Sequence, residues 1–115
     1  MDLWKPSTTE VRPDEFGKVI ADRSLTVFHF WASWNTYDKT MDQILCEIAD
    51  EYEGRVFIGS IDADQKENWF RCNELRILNL PAVASFINGR HHETIIGLSD
   101  REFWSRKVQE WIASV

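Results

Sequence analysis

The chain predicts an α/β fold, a central mixed β-sheet flanked by helices on both faces, in one domain over residues 1–115. Three observations carry this expectation. Strand-like apolar runs alternate with helical patterns along the chain, which is how sheets with helices on both sides are built. The run Leu25–Trp31, "LTVFHFW", is continuously apolar, β-branched and aromatic, as in a strand covered on both faces. "AVASFI" and "HETII" flank Asn88-Gly89, the pair favoured in a tight hairpin turn, so the last two strands run antiparallel.

Each element has its own signal. A short edge strand opens the order. In "PDEFGKVI", Phe16, Val19 and Ile20 follow Pro13 at helical spacing, and proline suits a first turn. After Leu25–Trp31, the apolar positions Met41, Ile44, Leu45, Ile48, Ala49 and Tyr52 describe a long amphipathic helix stopped by Gly54. "RVFIGSID" is a second buried strand. "NWFRCNEL" is a short helix with Trp69, Cys72 and Leu75 inward. In "LSDREF", Ser99 is expected as the cap of the last helix, with Glu102 completing a capping box and Leu98 against Phe103 as a hydrophobic staple. That helix buries Phe103, Trp104, Val108, Trp111 and Ile112. No repeat, linker or low-complexity segment interrupts the order.

Composition narrows the function. Hydrophobic residues make up 43% and charged residues 28%, the balance of a folded globular chain rather than a disordered one. A formal net charge of -6 disfavours nucleic acid and anionic membranes as partners, since both reward clustered Lys and Arg. No segment approaches the ~18 apolar residues of a membrane span. "MDLWKPSTTE" has no signal-like apolar region, and the expected location is cytoplasmic. Six tryptophans are many for this length, so some are expected at the surface. Cys46 and Cys72 have 25 residues between them, which matches neither a redox C-x-x-C nor a metal-ligand pair.

The blocks together resemble the thioredoxin superfamily. "VFHFWASWNTYDKTMDQILCEIADEYEGRVFIGSID" is similar to that family's apolar strand, W-A-x-W-C-G-P-C-K, helix and next strand. "LNLPAVASFINGR" resembles its I-P-T-x-x-x-F-x-N-G-x, and "IIGLSDREF" its V-G-x-x-S-x-x-x-L. The likeness runs from about Val11 to Ile112, with the stretch between Asp62 and Pro81 about two residues longer than usual. It implies a thioredoxin-like fold and a cis bond between Leu80 and Pro81.

Against the family pattern, Asn35 and Asp38 stand where the resemblance implies the two catalytic cysteines, with Thr36 and Tyr37 between them. Dithiol exchange needs an activated thiolate and a second thiol to resolve the mixed disulfide, which an amide and a carboxylate cannot supply. His29 stands in place of the family's buried acid and Ser60 in place of its nearby lysine. Read from the residues alone, Asn35 is a favoured N-cap, and Asp38 suits a first helical turn. A lone His in an apolar strand is most often a hydrogen-bonded core residue, but the resemblance puts His29 beneath Asp38, where the two would pair. Cys46 lies off the apolar stripe beside Asp42, Glu47 and Asp50, whose charges disfavour a thiolate. Cys72 is a small core residue, and His91 and His92 are solvated. No metal site and no cofactor are expected.

What the resemblance leaves is a binding surface. Trp34, Tyr37, Leu80, Pro81, Ala82 and Gly97 would line the shallow apolar groove in which the family receives an extended peptide, and the residue before the proline would offer its main-chain groups. Trp31 is expected to pack inside. The function expected is a redox-inactive protein-binding module: an adapter, assembly chaperone or structural subunit whose partner is another protein or an extended segment. The rival from a different class is an enzyme, either with single-thiol activity through Cys46 or with unrelated chemistry at His29 and Asp38.

Overall fold

The computed structural model describes residues 4–115. Along them run β1 (Thr9–Glu10), α1 (Phe16–Ala21), β2 (Leu25–Trp31), α2 (Thr36–Glu51), β3 (Phe57–Asp62), α3 (Trp69–Glu74), β4 (Ala82–Ile87), β5 (Arg90–Ile96) and α4 (Arg101–Ala113). Short 3-10 turns at Pro13–Glu15 and Lys66–Asn68 lead into α1 and α3. The strands form one sheet in the order β1-β3-β2-β4-β5. The β1–β3 and β3–β2 pairs are parallel, and the β2–β4 and β4–β5 pairs antiparallel, so the sheet is mixed as the alternation predicts.

The two-residue period of a strand divides the core into two layers. On one face Leu25 and Val27 of β2, Ile58 of β3 and Val83 of β4 pack against Met41, Leu45 and Ile48 of α2 and Trp104, Val108 and Trp111 of α4. On the other, Phe28, Phe30, Ile61, Ala84 and Phe86 meet Phe16 of α1 and Leu75 at the end of α3. His29 is therefore carried to the α2 face by the same alternation that carries Phe28 and Phe30 away from it. Asn88 (φ 51°) and Gly89 (φ 82°) both take left-handed conformations in the β4–β5 turn, the requirement that favours this residue pair.

Two local expectations are corrected. Asp100, not Ser99, caps α4: its carboxylate accepts from the Phe103 amide at 2.9 Å. Moving the cap by one residue dissolves the box and the staple. Glu102 pairs with Arg106 instead, and Leu98 borders the furrow between α2 and α4 beside Ile44. Trp69 is not inward but 55% exposed, while Leu75 is buried. The 3-10 turn directly before α3 advances at three residues per turn, which rotates the phase on which a 3.6-residue reading depends.

Candidate functional site

The site lies where β2 ends and α2 begins. Asn35 holds an extended conformation and its side-chain oxygen accepts from the Tyr37 amide at 2.9 Å, so it is the N-cap of α2. One turn in, Asp38 is fully buried. Its Oδ1 meets His29 Nε2 at 2.9 Å, and its Oδ2 accepts from the Ala32 amide at 3.1 Å. The pair joins strand to helix. His29 Nδ1 is buried with no hydrogen-bond partner, so the ring form that fits the network carries its proton on Nε2 and donates it to the carboxylate. Ser60, beside His29 in the β2–β3 register, turns its hydroxyl to the Thr8 and Thr9 carbonyls. Thr36 and Tyr37 are exposed, Tyr37 at 62%.

Around this turn the groove residues divide. Trp34 is 67% exposed yet not loose, because its Nε1 donates to Asp64 Oδ2 at 2.8 Å. The Leu80–Pro81 peptide is cis, Pro81 is buried, and its carbonyl accepts from the Gly97 amide at 2.8 Å. Leu80 is half-buried. Ala82 does not line the surface: it is fully buried, on the sheet face that packs against α1 and α3. An open cleft of about 290 Å³ lies beside Trp34, bounded by Cys72, Ile77, Leu78, Asn79 and Leu80.

Both thiols are poor nucleophiles. Burial, then the Asp42 carboxylate, pushes the Cys46 thiol up to about 11, with Asp50 and Glu47 adding to the effect. The Cys46 thiol lies 3.8 Å from Asp42 Oδ1. Asp42 is itself buried, not on an open polar face, because the segment before β1 folds over it: the Ser7 amide donates to it at 2.9 Å, and the Thr8 amide and hydroxyl at 3.4 Å. Burial also pushes the Cys72 thiol up. Cys72 is half-buried, with one side on the core and the other on the cleft. Among the described residues no three His, Cys, Asp or Glu side chains gather as metal ligands, and no helix is long and apolar enough to cross a membrane.

The family model described as Thioredoxin matches residues 7–110. The chain belongs to the thioredoxin family. It is 29% identical over 103 residues to a thioredoxin of Rickettsia conorii, covering 89% of this chain and 92% of that one. It is 28% identical over 94 residues to a chloroplastic M-type thioredoxin of Pisum sativum, covering 82% of this chain but only 54% of the pea protein's length. Among solved structures, a mutant thioredoxin from Halobacterium salinarum superposes with a TM-score of 0.79 at 18% identity, over 94% of this chain and 91% of that one. Oxidised mitochondrial thioredoxin 3 of Saccharomyces cerevisiae gives 0.79 at 22%, over 90% and 95%. These likenesses establish a thioredoxin-like α/β fold.

Several site residues escaped the sequence reading. Asp64 orients Trp34, Leu78 is 83% exposed at the cleft, and Asn79 Oδ1 accepts from the Leu80 amide at 2.9 Å. Asn35 has a second bond besides its cap, from Nδ2 to the Leu80 carbonyl at 3.1 Å. The cap was visible in the sequence, because it joins neighbours. The bond across 45 positions was not.

Proposed function

We propose that this thioredoxin-family chain is a redox-inactive protein-binding module, an adapter, assembly chaperone or structural subunit, acting through the surface around Trp34 and Tyr37. The observation that carries this reading is the first turn of α2, where Asn35 and Asp38 are both engaged in structural hydrogen bonds. Thiol–disulfide exchange requires an attacking thiolate and a resolving thiol in reach of one another. Here the only thiols are Cys46, within α2, and Cys72, in α3, and both are held protonated well above neutral pH. Chemistry at His29 and Asp38 has no support either, since both side chains are fully buried and a substrate could not touch them.

Binding has positive support. An exposed aromatic ring already fixed in place loses little conformational freedom on contact, which is what a hot spot requires. Trp34 meets that description, and Tyr37 and Leu78 extend its apolar area. The decisive assay is insulin-disulfide reduction, in which the protein should not exceed a free-thiol background. Turnover at a few per cent of an ordinary thioredoxin's rate, lost in Cys46→Ser or Cys72→Ser, would overturn the reading. On the binding side, a co-purifying protein should be retained by wild type and lost from Trp34→Ala.

A further inference from the structure

Main-chain groups at the rim of a groove have two fates. Left free, they template an extended chain, as at any exposed strand edge. Engaged by the protein's own side chains, an N–H is spent and a carbonyl is screened on the side that the side chain covers. At Leu80, which borders the cleft beside Trp34, both groups are engaged. Its carbonyl accepts from Asn35 Nδ2 at 3.1 Å, and its amide donates to Asn79 Oδ1 at 2.9 Å. The two asparagines come from different parts of the chain: Asn35 from the α2 cap, 45 positions away, and Asn79 from the residue directly before Leu80.

We propose that Asn35 and Asn79 form an intrachain plug that satisfies the Leu80 donor, covers one lone pair of its carbonyl and so closes this groove to extended polypeptide. The proposal concerns regulation of the surface just described and rests on reading it as a binding site. Asn35 suits the task because its amide is bifunctional: Oδ1 caps the helix while Nδ2 reaches across. A serine would retain the cap and lose the reach. Asn79 is exposed, with only its own neighbour's amide bound to the side chain. An incoming strand would have to displace Asn79 to reach the Leu80 amide and Asn35 to approach its carbonyl from that side.

The test compares wild type, Asn79→Ala and Asn35→Ser/Asn79→Ala for affinity to carboxymethylated α-lactalbumin, a permanently unfolded chain without free thiols, by surface plasmon resonance. Each released main-chain group gains about one net hydrogen bond, so affinity should rise about fivefold for the single variant and up to roughly thirtyfold for the double. Exchange of the Leu80 amide with solvent should accelerate in both. Unchanged or weaker affinity in the variants, or no binding by any of the three, overturns the plug. Should the double variant fail to fold, Asn79→Ala decides alone, because it removes only an exposed loop side chain. The insulin assay on wild type bears on the redox reading and leaves this comparison untouched, so the two can fail separately.

Discussion

Two buried N–H donors, from the His29 ring and the Ala32 backbone, converge on the single carboxylate of Asp38. Removing that carboxylate strands both donors away from water, and an unsatisfied buried group costs far more than the net value of the bond it lost. Asp38→Ala should therefore lower stability by about 3 kcal/mol or more. His29→Ala should cost a comparable amount, because it leaves Asp38 Oδ1 buried without that partner and opens a cavity in β2. A double-mutant cycle by urea denaturation should give a coupling of at least about 1 kcal/mol, and additive losses would show that the contact is energetically inert. The residue types at 29 and 38 hinted at this pair only once the resemblance had aligned them. No spacing rule joins a strand residue to a helix residue nine positions on across a turn. The α4 cap failed for a different reason. Ser99 and Asp100 are adjacent and equally good caps, so composition could not choose between them, and the choice fell to where the chain enters the helix.

Among the elements, β1 is the least autonomous: two residues, both exposed, paired only to β3. Its seat depends on Gly59. A Cβ there would lie 2.8 Å from Val11 Cγ2 and 3.1 Å from the Thr9 carbonyl, so only a glycine lets the edge strand come this close. Gly59→Ala should push β1 outward and destabilise by roughly 1 to 3 kcal/mol, the usual cost of overpacking. The loss should appear as faster exchange of the Val11 amide, which bonds the Ser60 carbonyl at 2.8 Å. Protection equal to wild type would show that the strand accommodates the methyl. Long elements were legible because periodicity is a property of the element itself: all of β2 is buried, and α2 packs Met41, Leu45 and Ile48 inward. What decided Trp69 was the junction before α3, and a 3-10 turn leaves no periodic trace in three residues. The cover that the Ser7–Thr8 segment gives Asp42 was equally invisible, since its donors are two backbone amides and a hydroxyl.

At the scale of the whole molecule, α4 is the last element along the chain, and a polar knot beside the core fastens it to β5. The Glu93 carboxylate accepts from Trp111 Nε1 at 3.0 Å and from Lys107 Nζ at 3.1 Å. Burial, the largest single influence, would raise this carboxyl. The hydrogen bonds from Trp111 and Lys107, with the charges of Lys107 and His92, together outweigh it and hold the group below its usual 4.5. Between the folded value and 4.5 the unfolded chain binds the proton that the folded one excludes. Glu93 therefore contributes stability that is complete above 4.5 and disappears as pH falls through the folded value. Lys107 behaves in the opposite sense. Its ammonium is held above the usual 10.5, chiefly by the bond to Glu93, so its contribution is full below 10.5 and lost as pH rises through the folded value. The net charge of -6 acts against Glu93 on the acid side, because protonating carboxylates first relieves repulsion across the molecule. Glu93→Gln keeps an acceptor for Trp111 and removes the titration. Urea midpoints measured from about pH 3 to 7 should fall less steeply on acidification in this variant than in wild type. Parallel curves would mean that acid unfolding is governed by other carboxylates and that the α4–β5 knot is held by Trp111 packing alone.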